Sequence, residues 1–336
     1  MQDYYFNRKE KIMFNVRTDL ALETREIYKS EFGKDVDGLL VEEREENDIK
    51  ITTVDIVDEK GEEIMRRPKG RYITLEMPEY THYDGDIKDD VAHVLGDILS
   101  KIINISEEKL ALVVGLGNWN VTPDALGPDV VEKIMITRHL KKVMPDKIDD
   151  SVRPVCAIAP GVLGITGIET GEIVKSLVDK IKPSIVICVD ALASRKLERV
   201  ARTIQISNTG ISPGAGVGNN RMEISEKLLG VPVIAIGVPT VVDAATIAND
   251  AMDLVLDEMI HQSTKGGEFY KALKSIDKNE KGTLIKSLLK PYIGDFMVTP
   301  KEVDDVIDSV SKIISDGINL AIQPNLNMED INKFLN

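Results

Sequence analysis

The sequence contains few of the residues that mark secreted, zinc-binding or membrane-spanning proteins. Only two cysteines occur, Cys156 and Cys188, and both lie in apolar runs, so we expect reduced thiols in the core of a cytosolic protein. The four histidines form neither an HExxH pair nor a set with the cysteines at zinc-ligand spacing. No segment reaches the ~18 apolar residues of a membrane span, and charges interrupt the N-terminal region where a signal peptide is apolar. We therefore expect a protein that stays in the compartment in which it is made.

Positive charge is also scarce. The chain has 42 Lys and Arg against 56 Asp and Glu, which gives a formal net charge of −14. A surface of that sign is repelled by phosphate backbones and anionic lipid, and no Lys/Arg run is long enough to offset the repulsion. We therefore expect neither nucleic acid nor a membrane as a direct partner.

Short apolar strands alternate with amphipathic helices along most of the 336 residues. The predicted strands are 110–116, 154–159, 184–190, 203–207 and 231–238. The predicted helices are 87–103, 129–144, 171–182, 242–259, 301–321 and 328–335. Strands that are apolar on both faces and alternate with helices are typical of a largely parallel sheet. The sequence therefore predicts a doubly wound α/β fold, with a mostly parallel central sheet covered by helices on both faces.

Three regions lie outside this alternation. Residues 38–77 carry two segments with alternating apolar positions and a predicted turn at 58–63, which indicates a small antiparallel β unit. Residues 1–35 show no strand and no long amphipathic pattern, and we expect an appendage there. The polar stretch 262–283 is interpreted as an insertion in the α/β domain.

The loops after the strands are where the chemistry of an open α/β sheet is expected, because ligands bind beyond the carboxyl ends of parallel strands. Asp190 follows five apolar positions, where an ionised carboxylate is costly unless it has a partner. Asp124 lies in the loop after another strand of the same sheet. Two neighbouring carboxyl groups do not both ionise cheaply, which yields an acid and a base able to activate water. The alternative is that the two aspartates merely cap a helix and a turn. Supporting residues in these loops are Asn118, Thr166, Glu169, Arg195, Gly214 and Gly216.

Other chemistries stay open as alternatives. Asp124 and Asp190, together with Glu169 or Asp243, would offer a divalent cation a set of carboxylate ligands, so an aspartic and a metal-dependent mechanism are both compatible with the sequence. The glycine-rich segments 115–117 and 214–218 are incomplete phosphate-binding motifs. They leave a non-enzymatic nucleotide-binding or oligomerisation module as the alternative function. No serine has the G-x-S-x-G setting of a nucleophile.

Several long segments resemble one known family. VVGLGNWNVTPDALGP, APGVLGITGIETGEIV, CVDALASRKLERVARTIQISNTGISPGAGVGNNR and GVPVIAIGVPTVVDA, with FNVRTDLALE, RRPKGRYITLEMP and FMVTPKEVDD, look like the germination proteases of endospore-forming bacteria. The resemblance covers nearly the whole chain apart from the polar stretch 262–283. By motif, the two essential aspartates of the family fall at Asp124 and Asp190.

The resemblance implies an activity, a partner and an assembly. Germination proteases degrade small acid-soluble spore proteins, which coat the DNA of dormant spores, when the spore germinates. The family is made as a zymogen that removes a short N-terminal propeptide by its own activity, and it acts as a homotetramer. Its core is related to the hydrogenase maturation endopeptidases. The implied location is the cytoplasm of the developing forespore and the spore core. No cofactor is firmly implied, and a divalent metal stays possible.

The segment Thr18–Glu23 indicates where a propeptide would end. It has an acidic residue before a bulky apolar one, then alanine and a second acid, and it resembles the cleavage sequence of the family's substrates. We expect cleavage between Asp19 and Leu20. Residues 1–19 are then the propeptide, and residues 20–336 form a single α/β protease domain. The alternative is that residues 1–19 are only a disordered tail.

Overall fold

A nine-stranded mixed sheet forms the centre of the protein in a computed structural model that describes residues 18–335, apart from residues 107, 145, 147, 215–220, 277 and 295. The strands are β1 (Leu39–Glu46), β2 (Ile49–Ile56), β3 (Gly70–Glu76), β4 (Ala111–Gly115), β5 (Val155–Ile158), β6 (Ile185–Ser194), β7 (Thr203–Ser207), β8 (Val233–Asp243) and β9 (Met297–Val298). The helices are α1 (Ala21–Phe32), α2 (Glu59–Met65), α3 (Gly85–Ile102), α4 (Leu126–Glu132), α5 (Arg138–Val143), α6 (Leu163–Thr166), α7 (Thr170–Ile181), α8 (Glu226–Leu229), α9 (Ala244–Gln262), α10 (Glu268–Lys274), α11 (Lys278–Ile293), α12 (Val303–Ile322) and α13 (Met328–Leu335).

The sheet has a parallel half and an antiparallel half. Its strand order is β1-β2-β3-β7-β8-β6-β4-β5, and β9 pairs with β8. Strands β8, β6, β4 and β5 are parallel, which confirms the predicted parallel core. The antiparallel strands predicted within 38–77 are β1 to β3. They extend the same sheet, because β3 pairs with β7 and β7 pairs antiparallel with β8.

Side chains of the parallel strands alternate between two apolar cores. In β4, Ala111 and Val113 face the larger core, whereas Leu112 and Val114 face the smaller one. Helices α3, α4 and α12 contribute to the larger core, and α7 and α8 contribute to the smaller. The predicted doubly wound α/β fold is therefore confirmed. No helix in the described part of the chain combines the length and apolar character needed to cross a bilayer.

One predicted helix is interrupted. The pattern over 129–144 predicts a single helix, but the chain forms α4 and α5 with a break between them. A residue of α12, Asn319, stabilises this break. Its side chain accepts a hydrogen bond from the backbone N–H of Met135 at 3.0 Å and donates one to the carbonyl oxygen of Lys133 at 3.1 Å. These contacts with a distant segment replace hydrogen bonds that a continuous helix would make within itself.

The structure also gives the conformation of several other segments named in the sequence analysis. The turn predicted at 58–63 is helix α2, which Asp58 caps by accepting from the N–H of Gly61 at 2.8 Å. The region taken for an appendage contains α1, whose residues join β2 and β3 in a third apolar cluster. The polar stretch 262–283 runs from the end of α9 through α10 into α11. Both cysteines are free, but Cys156 is only half buried because it lies on the edge strand β5.

Candidate active site

A cavity of about 350 Å³ lies where β4, β6 and β8 end at the carboxyl edge of the sheet. Three carboxylates line it, from Asp19, Asp124 and Asp190. Arg221 and Thr240 also line it. The predicted pair therefore faces one space, and a third acid from the N-terminal segment joins it.

Asp190 is the most deeply buried acid of the cavity. It lies on β6 and pairs with Gly237 of β8, so strands flank its backbone. One of its oxygens accepts a hydrogen bond from the N–H of Ala191 at 3.0 Å. Burial raises the pKa of Asp190 well above its ordinary value, and the charges of Asp124 and Asp19 raise it further. A carboxyl group in these surroundings holds a proton at pH values where ordinary aspartates are ionised.

Asp124 reaches the same cavity from the loop after β4. It ends a short 3-10 turn, Thr122–Asp124, and its carbonyl oxygen accepts from the N–H of Asn118 at 3.0 Å. Burial raises the pKa of Asp124 to about 6, against smaller opposing effects of the Asn118 amide and the positive charge of Arg221. The two aspartates thus have raised pKa values in one cavity, and the protonation of one carboxyl group changes the pKa of the other.

Glycines of the loop allow Asp124 to approach the strand end. Gly117 has a φ of +116°, and a Cβ there would lie 1.9 Å from the carbonyl oxygen of Asp124. A Cβ on Gly115 would lie 2.1 Å from the carbonyl oxygen of Gly127. Close packing of the backbone therefore explains why glycine occupies positions 115 and 117. This packing gives no support to a phosphate-binding loop.

The predicted cleavage site lies against the end of β6. The backbone of Asp19 donates to the carbonyl oxygen of Ala193 at 2.9 Å, and its carboxylate accepts from the N–H of Ala193 at 2.8 Å. Leu20 and Ala21 are fully buried. Gln205 of β7 donates to the carbonyl oxygen of Asp19 at 2.9 Å and accepts from the N–H of Ala21 at 2.6 Å. Strands β6 and β7 therefore both contact the residues that flank the Asp19–Leu20 bond.

A second acid anchors the same segment four residues further on. Glu23 is buried, and its two carboxylate oxygens accept from the N–H groups of Arg195, at 2.7 Å, and Lys196, at 2.9 Å. The guanidinium of Arg199 lies 3.5 Å away. Thr18 also donates to this carboxylate. The two acids of the Thr18–Glu23 segment therefore both accept hydrogen bonds from backbone N–H groups at residues 193–196, and the apolar residues after Asp19 are buried.

Comparison with known proteins identifies the family. The model of the family "Germination protease" matches residues 17–275 and 257–335. The chain belongs to the germination protease family. A germination protease of Clostridium perfringens strain 13 is 72% identical over 325 residues, covering 96% of this chain and 100% of the relative. One from Bacillus subtilis strain 168 is 42% identical over 352 residues, covering 94% of this chain and 95% of the relative. A solved NiFe hydrogenase maturation protease of Thermococcus kodakarensis covers 59% of this chain and 99% of its own, at 19% identity and a TM-score of 0.27.

Three of the residues predicted as supporting residues or metal ligands do not join the aspartates. Arg195 forms an ion pair with Asp250 of α9 at 2.8 Å, so its backbone, rather than its side chain, holds the N-terminal segment. Asp243 caps α9 by accepting from the N–H of Ala245 at 2.8 Å. Glu169 immediately precedes α7 and is not among the described residues that line the cavity. Sequence position alone placed these three near the aspartates.

The remaining predicted residues divide between the cavity and its surroundings. Gly214 lines the cavity, and Gly216 lies outside the described residues. Asn118 shapes the loop before Asp124 by accepting from the N–H of Asn120 at 3.0 Å. Thr166 is exposed at the end of α6 and accepts from the N–H of Ile168 at 3.1 Å.

The structure does not bring the predicted metal ligands Glu169 and Asp243 into the lining of the cavity. Within the described ranges, no group of three or more His, Cys, Asp or Glu side chains is arranged to hold a metal ion. Glu169 immediately precedes α7, and Asp243 caps α9. The third acid of the cavity, Asp19, has its carboxylate engaged by a backbone N–H.

Gln205, Arg67 and Arg221 were not singled out from the sequence. Arg67 donates to the carbonyl oxygen of Thr18 at 3.3 Å, and its charge acts against the burial that raises the pKa of Asp19. Gln205 is a polar residue in the middle of the apolar strand TIQIS, which is the signal that could have found it. No comparable signal marks Arg67 or Arg221, because their places depend on contacts across the fold.

Proposed function

We propose that the protein is a self-processing endopeptidase that starts the degradation of small acid-soluble spore proteins during germination. Asp124 and Asp190 form its catalytic pair. The observation that carries this proposal is the meeting of two carboxyl groups with raised pKa values in one cavity that also receives Asp19. Perturbed carboxyl pairs of this kind are how proteins obtain an acid and a base at one pH.

The proposed reaction divides the roles by burial. Asp190 is the more buried acid and keeps a proton, while Asp124, with a pKa of about 6, is ionised at neutral pH. Asp124 takes a proton from water as the water oxygen attacks the carbonyl carbon, and Asp190 gives its proton to the carbonyl oxygen. When the C–N bond breaks, Asp124 passes its proton to the departing nitrogen. Asp190 regains a proton from the new carboxyl group, which restores the pair.

Self-processing is supported by the contacts of the N-terminal segment. Asp19 lines the cavity with the catalytic pair, and the buried Leu20 and Glu23 fix the segment that follows. The bond proposed for cleavage is therefore held next to the proposed catalytic groups of the same chain. Cleavage there would remove residues 1–19 as a propeptide.

The partners are proposed from charge and from exposed apolar surface. A net charge of −14 favours spore proteins free of DNA as substrates, in the forespore and spore core, with no direct contact to nucleic acid.

Helices α9 and α11 expose Leu254, Leu284 and Leu288. Large apolar side chains at the surface favour contact between chains, and the resemblance to the germination proteases supports a homotetramer. Light scattering at micromolar concentration should give a tetramer, and a monomer would contradict the assembly.

Cleavage of a purified small acid-soluble spore protein tests the function. Wild-type protein should cut the substrate after an acidic residue that precedes a bulky apolar one, as judged from fragment masses. The same incubation after exhaustive chelation should proceed at an unchanged rate. Loss of activity that Mg²⁺, Mn²⁺ or Zn²⁺ restores would favour the metal-dependent alternative. Absence of cleavage by processed wild-type protein would contradict the proposed function.

A further inference from the structure

Gln205 makes hydrogen bonds on both sides of the Asp19–Leu20 peptide bond. Its Nε2 donates to the carbonyl oxygen of Asp19 at 2.9 Å, and its Oε1 accepts from the N–H of Ala21 at 2.6 Å. The residue is 8% exposed, on a strand whose neighbouring positions Ile204 and Ile206 are fully buried. A buried amide keeps both its donor and its acceptor satisfied here only if the segment lies in this register.

The geometry defines one register of the bound chain. In an extended segment, the carbonyl of one residue and the N–H two residues later point to the same side. The carbonyl of Asp19 and the N–H of Ala21 therefore both face Gln205. A shift by one residue would turn them away and leave the buried amide without these partners. Gln205 lines a second cavity, which shares Asp19 and Leu192 with the cavity of the aspartates, and its two hydrogen bonds fix the register of the segment between Asp19 and Ala21.

We propose that Gln205 selects the Asp19–Leu20 bond for cleavage and stabilises the negative charge that develops on the Asp19 carbonyl oxygen during hydrolysis. This inference rests on the proposed function, since it takes Asp19–Leu20 as the bond that is cut. A donor placed at a developing oxyanion typically accounts for about 10² to 10³ in rate. In the proposed reaction the same carbonyl oxygen also receives a proton from Asp190. An oxygen with two lone pairs can accept both the hydrogen bond from Gln205 and this proton.

Two substitutions separate the donor from the shape of the side chain. Gln205→Leu removes both hydrogen bonds and should slow self-processing of the full-length chain about 100-fold or more. Gln205→Glu keeps the acceptor for Ala21 and donates only when its carboxyl group is protonated. Its processing rate relative to wild type should therefore be highest near pH 5 and fall at least tenfold by pH 8.

The groups around position 205 determine the pH at which the processing rate of Gln205→Glu falls. Asp19 contacts the side chain directly, and Arg66, Arg67, Tyr72 and Glu223 line the adjoining cavity. Acids and burial raise the pKa of a glutamate there, and the arginines lower it. Dividing each rate by the wild-type rate at the same pH removes the titration of the catalytic pair from the comparison.

Gln323 provides a matched control. It is also buried and brackets a backbone segment, accepting from the N–H of Arg153 at 2.8 Å and donating to its carbonyl oxygen at 3.0 Å. Arg153 precedes β5, so this pair lies at the amino edge of the parallel strands, away from the cavity. Gln323→Leu should lower the melting temperature while leaving the processing rate of the folded protein within about threefold of wild type.

The measurement is the mass of the N-terminus over time, with melting temperature recorded for every variant. Slow processing in Gln205→Leu, a rate ratio that falls with pH in Gln205→Glu, and normal processing in Gln323→Leu would support the proposal. Processing of Gln205→Leu at the wild-type rate, a pH-independent ratio for Gln205→Glu, or equal slowing in Gln323→Leu would overturn it. Wild-type protein that never shortens would instead contradict the proposed self-processing, on which the inference rests.

Discussion

Replacing Asp124 by asparagine should abolish peptide hydrolysis and, at neutral pH, make the folded chain more stable. Raising the pKa of this carboxyl group from its ordinary value of 3.8 to about 6 makes its ionised form about 3 kcal/mol less favourable in the folded protein than in the unfolded chain. Asparagine has a similar shape and never ionises. The variant should therefore escape this penalty while losing the proposed base.

The stability gain has a defined pH dependence. Below about pH 3 the carboxyl group is protonated in both states, so wild type and variant should be equally stable. Between about pH 3 and 6 the unfolded chain ionises before the folded one, and wild-type stability falls relative to the variant. Above pH 6 the difference should stay near its full value of about 3 kcal/mol, or exceed it because Asp190 no longer feels the charge of Asp124.

Urea unfolding at pH 4, 5, 6, 7 and 8, at one protein concentration, measures this difference. Asp149→Asn is the control, since Asp149 is exposed and hydrogen bonds from Ser151 lower its pKa, so no gain is expected. A difference that does not change with pH, or an Asp124→Asn protein less stable than wild type at pH 7, would refute the argument that burial raises this pKa.

Two further outcomes follow from the loop and from the N-terminal segment. Gly117→Ala should destabilise the chain by more than about 1 kcal/mol and slow hydrolysis, because a Cβ at φ +116° collides with the backbone of Asp124, whereas Gly164→Ala has open space and should be near neutral. Urea unfolding and hydrolysis rates check both variants. The half-time of self-processing should be independent of protein concentration, since Asp19 docks on its own chain. A half-time that lengthens on dilution would indicate cleavage between molecules.

Local patterns were sufficient for the elements whose contacts repeat along the sequence. The apolar run of β6 predicted both a buried strand and an acid at its end, and the stripe of apolar residues predicted α3. The break between α4 and α5 could not be predicted in this way. It depends on Asn319, which lies far along the chain and offers its amide to a segment that the helical pattern alone would continue.

The candidate site shows the same division. Asp124 and Asp190 are predicted because each follows an apolar run, and strand ends converge at one edge of the sheet. In the structure β6 continues past Asp190 to Ser194, so Asp190 lies within the strand and not after it. Glu169 and Asp243 also lie shortly after apolar runs in the sequence, but Asp243 caps a helix and Glu169 stays outside the cavity lining. Which polar side chains turn towards the cavity depends on nearby partners. Strand order alone therefore predicts the neighbourhood of a site better than its members.

The N-terminal mass of purified full-length protein tests the central claim, that Asp124 and Asp190 form the catalytic pair. The wild-type chain should shorten until it begins at Leu20, and Asp124→Asn and Asp190→Asn should each keep residues 1–19. Asp129→Asn is the matched control, because burial also raises the pKa of Asp129 but this residue is not among those described as lining the cavity. It should process as wild type does. Shortening of the Asp190→Asn or Asp124→Asn chain at the wild-type rate would contradict the account.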